Sequence, residues 1–574
     1  MRLPRRKGLL LPPVVAILGL LTFLATGCGG GGGEEETAVP PTPEATAGQL
    51  KAVATTTQLD LPTPNPQAKS GGTLSFALSD DIATLDPHTE QSPFSVGVIH
   101  RFYNRLVKVA GNTILPGQTL PADIAGRDIP PLGVKIVGEL AKSWDMPAPN
   151  IYIFHLFEGV KFQNLPPVNG RELTSEDVKY SFERILTDKP EYVMRSYFQD
   201  IEKIETPDKY TVKITLKGAT APFLNYVGSE WALIVPREVV EQGDVKNEPV
   251  GSGPFIFEYN HRGQEVKMKK NPDYFRKGLP YMDGISLSII KDSATSLAAF
   301  RSGKIDVTGA IGSSVKQILK TNPDVVPVNV THTSFIIVDM NCTKPPFDNV
   351  KVRQAVKYAL DPMIYNTFIF GGIGQRVGPL GWLLDWTLPA EELPKQDLDK
   401  ARQLLVEAGY PDGFKTSAQI ADFAQGTMLA PIFKDQLGKV GIDVKIETLQ
   451  TPDWMRRVYS RGGDFNVSVH GHYGYTDPDQ YLSPFLTTNG PENNTGYSNA
   501  TLDQLIPKQR QQLDPAERKQ TLYEIQRIIL DESPYVYLSG YAVTWMFQPY
   551  LKGYQTETLG TYFPGEWEYV WLEK

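Results

Sequence analysis

The chain has 574 residues, 41% hydrophobic and 21% charged, an ordinary globular balance with enough apolar material for more than one core. Its formal charge is −8, and no Lys/Arg-rich run follows residue 7, which excludes electrostatic capture of nucleic acid. After the first residues no stretch reaches the roughly 20 uninterrupted apolar residues that a membrane span needs.

Residues 1–27 read as an export signal: Arg2, Arg5, Arg6 and Lys7 precede an apolar region, Gly8 to Phe23, broken by Pro12-Pro13. The following Leu24-Ala25-Thr26-Gly27-Cys28 resembles a bacterial lipobox, which implies a lipid on Cys28; ordinary cleavage near Ala25 is the alternative. Cys342 is the one other cysteine, so lipidation of Cys28 leaves no internal disulfide. Residues 28–70 hold five consecutive glycines, Glu34-Glu35-Glu36 and a Thr/Pro/Ala/Gln tract, with too little apolar surface to offset their ordering entropy. They are expected to form a disordered tether.

Folded structure is expected from Gly71, with an alternating strand through Phe76, the segment Leu85-Asp86-Pro87-His88 and a helix from Val96 to Val107. Residues 140–184 then supply a Trp144-bearing segment, a strand alternating through Tyr152, Phe154 and Leu156, a turn at Gly159, and a helix capped by Thr174 with Glu176 and Asp177 in its first turn. Tyr210 to Leu216 alternates as a strand. In Pro249-Val250-Gly251-Ser252-Gly253-Pro254-Phe255 the glycines are read as positions of positive φ. A helix stops at Gly303, an apolar run Phe335 to Met340 reads as a buried strand, and Asp348 is read as the cap of a helix striped by Val352, Ala355, Val356, Ala359 and Leu360. Asp397 to Ala408 is a helix closed by Gly409. A helix ending near Val440-Gly441 feeds a strand through Ile442, Val444 and Ile446, Asp514-Pro515 opens the last long helix, and Pro534 to Trp545 returns as strand.

Alternating helices and strands indicate an α/β protein. The order of the pieces is more specific. Ala141 and Trp144, Tyr152-x-Phe154-His155-Leu156, Gly159-Val160-Lys161-Phe162, Thr174-x-Glu176-Asp177-Val178-x-x-Ser181-x-x-Arg184 and PPFDNVKVRQAVKYALD at 345–361 resemble the motifs of bacterial extracellular solute-binding proteins of family 5, the oligopeptide, dipeptide and nickel-binding group of ABC importers. The resemblance covers residues 71 to 574. It departs at Phe157-Glu158, where the family has basic residues, and at Gln163 to Val168, which enlarge a turn.

That resemblance implies a two-lobed periplasmic-binding-protein-like fold of type II, of the large cluster with an extra inserted subdomain and a ligand cleft between lobes. By the family pattern, lobe I is 71–108, 235–330 and 535–574, the inserted subdomain is 109–234, and lobe II is 331–534.

Signatures of chemistry are sparse. There is no G-x-S-x-G, no H-E-x-x-H and no phosphate loop, and Gly372-x-Gly374-x-x-x-Gly378 misses dinucleotide spacing. Val469 to Asp479 is the most suggestive stretch. His470 and His472 share a strand face, as the start of a metal site or as two satisfied strand residues; no third ligand is identifiable, so no metal is assigned. In peptide-binding members of the family this stretch supplies a strand edge, an aromatic residue and an aspartate for a free α-amino group. By that resemblance the ligand-binding candidates are His470, Gly471, His472, Tyr473, Tyr475 and Asp477, with Glu90, Gln91 and Ser92 on the other wall; by their aromatic chemistry Trp382 and Trp386 are stacking surfaces for sugar rings or apolar side chains, with core packing as the alternative. Tyr475 or Gly474 stands where the aspartate belongs, so a free N-terminal ammonium is not expected to be held there.

The resulting expectation is a monomeric, lipid-anchored substrate-binding protein on the outer face of the cytoplasmic membrane, without enzymatic activity, cofactor or nucleic-acid partner. It captures a peptide or peptide-like solute by hinge closure and delivers it to ABC permease subunits. An oligosaccharide is the alternative solute; an exported hydrolase and an adhesion lipoprotein are the alternatives of another class.

Overall fold

The computed structural model describes residues 64–90, 93–110, 135–189, 191–192, 194–381, 384–422, 424–472, 474–554 and 565–574. The signal, Cys28 and most of the expected tether lie outside them. Among the described residues no helix is long and apolar enough to cross a membrane.

A ten-stranded sheet runs through the molecule. Its strands lie in the order Ile442–Leu449, Phe414–Ala421, Val467–His472, Val326–Met340, Tyr535–Phe547, Val307–Ala310, Thr73–Leu78, Gly284–Ile289, Glu265–Lys270 and Phe255–His261. Two strands sit in its middle and pair antiparallel: the 15-residue Val326–Met340 and the 13-residue Tyr535–Phe547. Residues 326–331 pair with 542–547, where Tyr535–Phe547 also meets Val307–Ala310; residues 335–339 pair with 535–540, where Val326–Met340 also meets Val467–His472. The register shifts between Thr331 and Phe335 and again between Phe335 and Ile337. Such irregularities bend and twist a strand pair. The two strands therefore pass from one half of the sheet to the other across a bend.

Each half buries its own apolar residues. Leu74, Phe76, Ile285, Leu287 and Val307 gather with Trp545 and Phe547 on one side of the bend. Ile336, Val338, Ala355, Val356, Ile442 and Val467 gather with Leu538 on the other. A third core, around Phe154, Phe182, Val212 and Ile214, fills a separate four-stranded sheet of Ala141–Ala148, Ile151–Leu156, Thr211–Leu216 and Ile201–Asp208. The fold is mixed α/β and two-lobed.

Local chemistry explains most elements. Thr174 and Asp177 form a reciprocal capping box on the helix Ser175–Leu186, whose Val178, Phe182 and Ile185 are buried. Asp397 and Asp514 accept bonds from first-turn amides of the helices Leu398–Glu407 and Pro515–Glu532. The helix Val350–Ala359 is capped by Asn349, whose side chain accepts from Lys351 N, one residue later than the expected Asp348. The first helix is also shorter than expected, Pro93–Ile99, because the next residues serve another partner: the carbonyls of Arg101 and Phe102 accept bonds from Phe255 N at 3.0 Å and Gly253 N at 2.9 Å. This close approach is the reason for glycine in the 249–255 turn. A Cβ on Gly253 would sit 2.5 Å from the Phe102 carbonyl carbon, and neither Gly251 nor Gly253 has positive φ.

Two of the quoted motifs meet in space. Arg184, in the last turn of Ser175–Leu186, donates through Nη1 and Nη2 to both oxygens of Asp86 at 2.9 and 2.5 Å, and through Nη1 to His88 Nδ1 at 2.7 Å. His88 Nε2 donates to Leu233 O at 2.8 Å. This pattern requires neutral His88, and burial together with the Arg184 charge lowers its pKa to about 4. Replacing the guanidinium by Arg184→Met leaves the buried Asp86 carboxylate without its partner. Urea unfolding at pH 7 is predicted to show a loss of about 3–5 kcal/mol; a loss under about 1 kcal/mol, the level of a surface pair, would contradict this role.

Candidate functional site

The first candidate segment is the buried loop that Asp86 and Arg184 fix. Glu90 lies in it, and its carbonyl accepts from Trp231 Nε1 at 3.1 Å. Trp231 packs edge-on to Tyr197, which stacks on Tyr226 with ring centroids 4.8 Å apart. A row of aromatic rings thus leads from the Glu90 loop to Tyr226. Gln91 and Ser92 lie outside the described residues.

The second candidate segment is the strand Val467–His472 and the loop after it. His470 and His472 do share a face, with ring centroids 6.2 Å apart, and that face is the interior. His470 Nε2 donates to Asp339 Oδ2 at 2.9 Å and Nδ1 to Gly471 O at 3.0 Å. Two acceptors on one imidazole select the charged form, and Asp339 raises the pKa against the opposing effect of burial. Asn494 Nδ2 donates to the same Asp339 oxygen at 2.7 Å. His472 sits among Phe335, Tyr459, Tyr475, Tyr481 and Phe485, with the Tyr459 hydroxyl 3.1 Å from its Nε2. Tyr475 is also buried, with its hydroxyl 3.1 Å from His472 Nδ1. Both histidines are satisfied by protein groups, and among the described residues no cluster of three or more metal-ligating side chains occurs.

The loop is tied to the bend of the long strands. A Cβ on Gly474 would overlap Thr333 Oγ1 and stand 2.5 Å from Ser334 N, so only glycine fits between loop and strand. Three residues on, Asp477 is fully buried and takes both Arg518 Nη groups, at 2.8 and 2.6 Å. It also accepts from Asp479 N at 2.9 Å. Arg518 packs over Trp386 with its guanidinium carbon 5.9 Å from the ring centroid. The Asp477 carboxylate is therefore already neutralised by an arginine. Tyr473 and Trp382 lie outside the described residues.

The sequence does not point to Arg510, Asp200 or Tyr226, which meet Asp479 at this junction. Their partners are 31, 253 and 310 residues apart in sequence, and no local pattern signals them. A separate depression of about 400 Å³ lies beside the capped helix, lined by Arg171, Asp177, Tyr180, Arg237 and Glu238. Its charges serve one another: Arg171 bonds to both Asp177 and Glu238, and Arg237 lies over Tyr180.

Two separately cored halves and strands shared across a bend define a two-lobed α/β architecture. The particular family follows from comparison with known proteins. The chain matches bacterial extracellular solute-binding proteins, family 5 Middle, over residues 135–493, and it belongs to that family. It is 27% identical over 453 residues to the heme-binding protein A of Haemophilus influenzae, covering 73% of this chain and 82% of that one. To the glutathione-binding protein GsiB of Pectobacterium atrosepticum it is 29% identical over 480 residues, covering 81% and 88%. Among solved structures, the periplasmic binding protein DppA of Helicobacter pylori in complex with the peptide STSA superposes with a TM-score of 0.75 at 27% identity, over 88% of this chain and 99% of that one.

The His470–Asp339 pair gives a pH test. Because the folded-state pKa is raised above 6.5, its contribution is fully present below that pH and is lost as pH rises through the folded value. The stability gap between wild type and His470→Gln, read from urea unfolding, is predicted to shrink above pH 6.5 by about 1.4 kcal/mol for each unit of pKa shift. A gap that is constant or widens with pH would contradict the charged pair.

Proposed function

We propose that this protein is the substrate-binding component of an ABC importer, holding a peptide or peptide-like solute between its lobes and presenting the closed form to the membrane permease. The observation that carries the reading is the pair of strands Val326–Met340 and Tyr535–Phe547, each continuous through two separately cored halves and irregular in register where they cross. Such a joint permits one half to rotate on the other while both cores stay intact. Peptide as the solute class is supported by the relatives whose names specify di- and tripeptides or glutathione, and by the peptide in the DppA structure.

In this reading lobe I comprises 71–108, 235–330 and 535–574, with 109–234 inserted, and lobe II is 331–534. The solute lies against the loop at Glu90 to Ser92 on one side and the segment from Gly471 through Tyr475, with Trp382, on the other. Tyr475 and the neighbouring rings offer apolar faces to side chains. The protein acts as a monomer with no catalytic step, and a lipid on Cys28 with the tether at 28–70 holds it at the outer face of the membrane.

Native mass spectrometry of protein purified from its own host is expected to show an added mass that is released on unfolding and fragments as a peptide. Release of a carbohydrate would replace the solute class, and absence of any releasable mass would count against solute capture. Asp477 is committed to Arg518, so the peptide's amino terminus has no buried carboxylate to meet at this position. N-acetylation of the recovered peptide is therefore predicted to change its affinity by less than about threefold in isothermal titration; a loss of about a hundredfold, or 2.7 kcal/mol, would contradict this arrangement.

A further inference from the structure

At one end of the junction the half that holds Tyr475 and Asp477 is joined by the protein's own polar groups to the four-stranded-sheet unit, which Arg184 ties to the Asp86 loop of the other half. Arg510, in the last turn of the helix Leu502–Gln511, belongs to the half that holds Tyr475 and Asp477. Its Nε and Nη2 reach across to Asp200 Oδ2 at 3.0 and 2.7 Å, just before the strand Ile201–Asp208 of the four-stranded sheet. Its Nη1 donates to Asp479 Oδ2 at 2.7 Å within its own half. Tyr226, from the four-stranded-sheet side, donates its hydroxyl to the same Asp479 oxygen. Ala221 N donates to the Arg510 carbonyl at 2.7 Å, and Asn225 Nδ2 lies 3.4 Å from Asp477 Oδ2.

The distribution of partners decides what this arrangement does. Asp479 is fully buried, but Gln509 and Ser483 also donate to it, at 2.7 Å each, and both lie on its own side. Separation of the halves leaves the Arg510–Asp479 pair whole. Asp200 is 28% exposed even when the halves touch, so water can replace Arg510 around it on opening. No buried charge is orphaned by opening, unlike the usual case in which breaking a buried pair is prohibitive. The contact favours closure moderately and reversibly, and none of its atoms belongs to a solute.

We propose that Arg510, with Asp200 and Tyr226, is a solute-independent latch that populates the closed form before solute arrives. The inference goes beyond solute capture, since the latch is independent of what the site holds. Apparent affinity scales with the fraction of protein already in the binding-competent form, so the latch also strengthens binding of whatever solute the site accepts.

The test uses the full chain, stripped of solute by unfolding in guanidinium and refolding, and small-angle scattering. Asp200→Asn is the main variant because its position is partly exposed and its loss leaves Arg510 paired; Tyr226→Phe is the second. Arg527→Gln, which breaks a surface pair with Glu392 inside one half, is the control. Wild type and the control are expected to share one radius of gyration, and each latch variant to exceed it by about 1 Å or more, as hinge opening requires, with an unchanged far-ultraviolet circular dichroism spectrum. Identical radii for wild type and both latch variants would overturn the latch. Failure to find any bound solute by native mass spectrometry would remove the importer reading and leave this scattering result standing.

Discussion

The structure depends on two long strands that belong to two cores at once. Val326–Met340 and Tyr535–Phe547 carry Val328, Val330, Trp545 and Phe547 into one apolar cluster and Ile336, Val338, Val536 and Leu538 into another. Neither strand can leave the sheet without opening a core, yet the ladder between them is irregular around residues 331–337. Twisting at an irregular ladder breaks fewer hydrogen bonds than twisting elsewhere along the strands. Rigidity within each half and compliance between them follow from the same pair of strands.

The candidate site is arranged around that joint. Gly474 is pressed against Thr333 and Ser334, inside the irregular segment, so the loop that carries Tyr475 and Asp477 moves with the bend. The opposite wall is anchored by Asp86, Arg184 and His88, and aromatic rings extend it to Tyr226, where the two sides touch. Three charged groups of the junction are paired within the protein: His470 with Asp339, Asp477 with Arg518, Asp479 with Arg510. Groups so paired orient the segments that carry them and resist displacement.

Much of this was legible in the sequence where the physics is local. Thr174 with Asp177, Asp397, Asp514 and the glycine stops at 303 and 409 mark helix ends because a cap is satisfied within a few residues. The motif order indicated the two-lobed fold, and the shared face of His470 and His472 followed from strand period alone. What failed was decided at a distance. Residues 100–106 have a helical pattern, but Arg101 and Phe102 meet the backbone of Phe255 and Gly253, and the glycines there answer to that approach rather than to positive φ. The pairing of Asp477 with Arg518 and of Asp200 with Arg510 spans 41 and 310 residues, so the electrostatics of the junction required the folded chain.

The central claim is that the two halves move about the bend in the long strands and close on a solute. Spin labels at Lys179→Cys, on the helix of the four-stranded-sheet unit that Arg184 ties to one half, and Glu517→Cys in the other half, with Cys28 and Cys342 replaced by serine, read this motion as a distance distribution by double electron–electron resonance. Solute recovered from the host should deplete a long-distance population of the stripped protein and enrich a single short one. An identical, single-peaked distribution with and without solute would mean that the halves do not hinge, and the account would not stand.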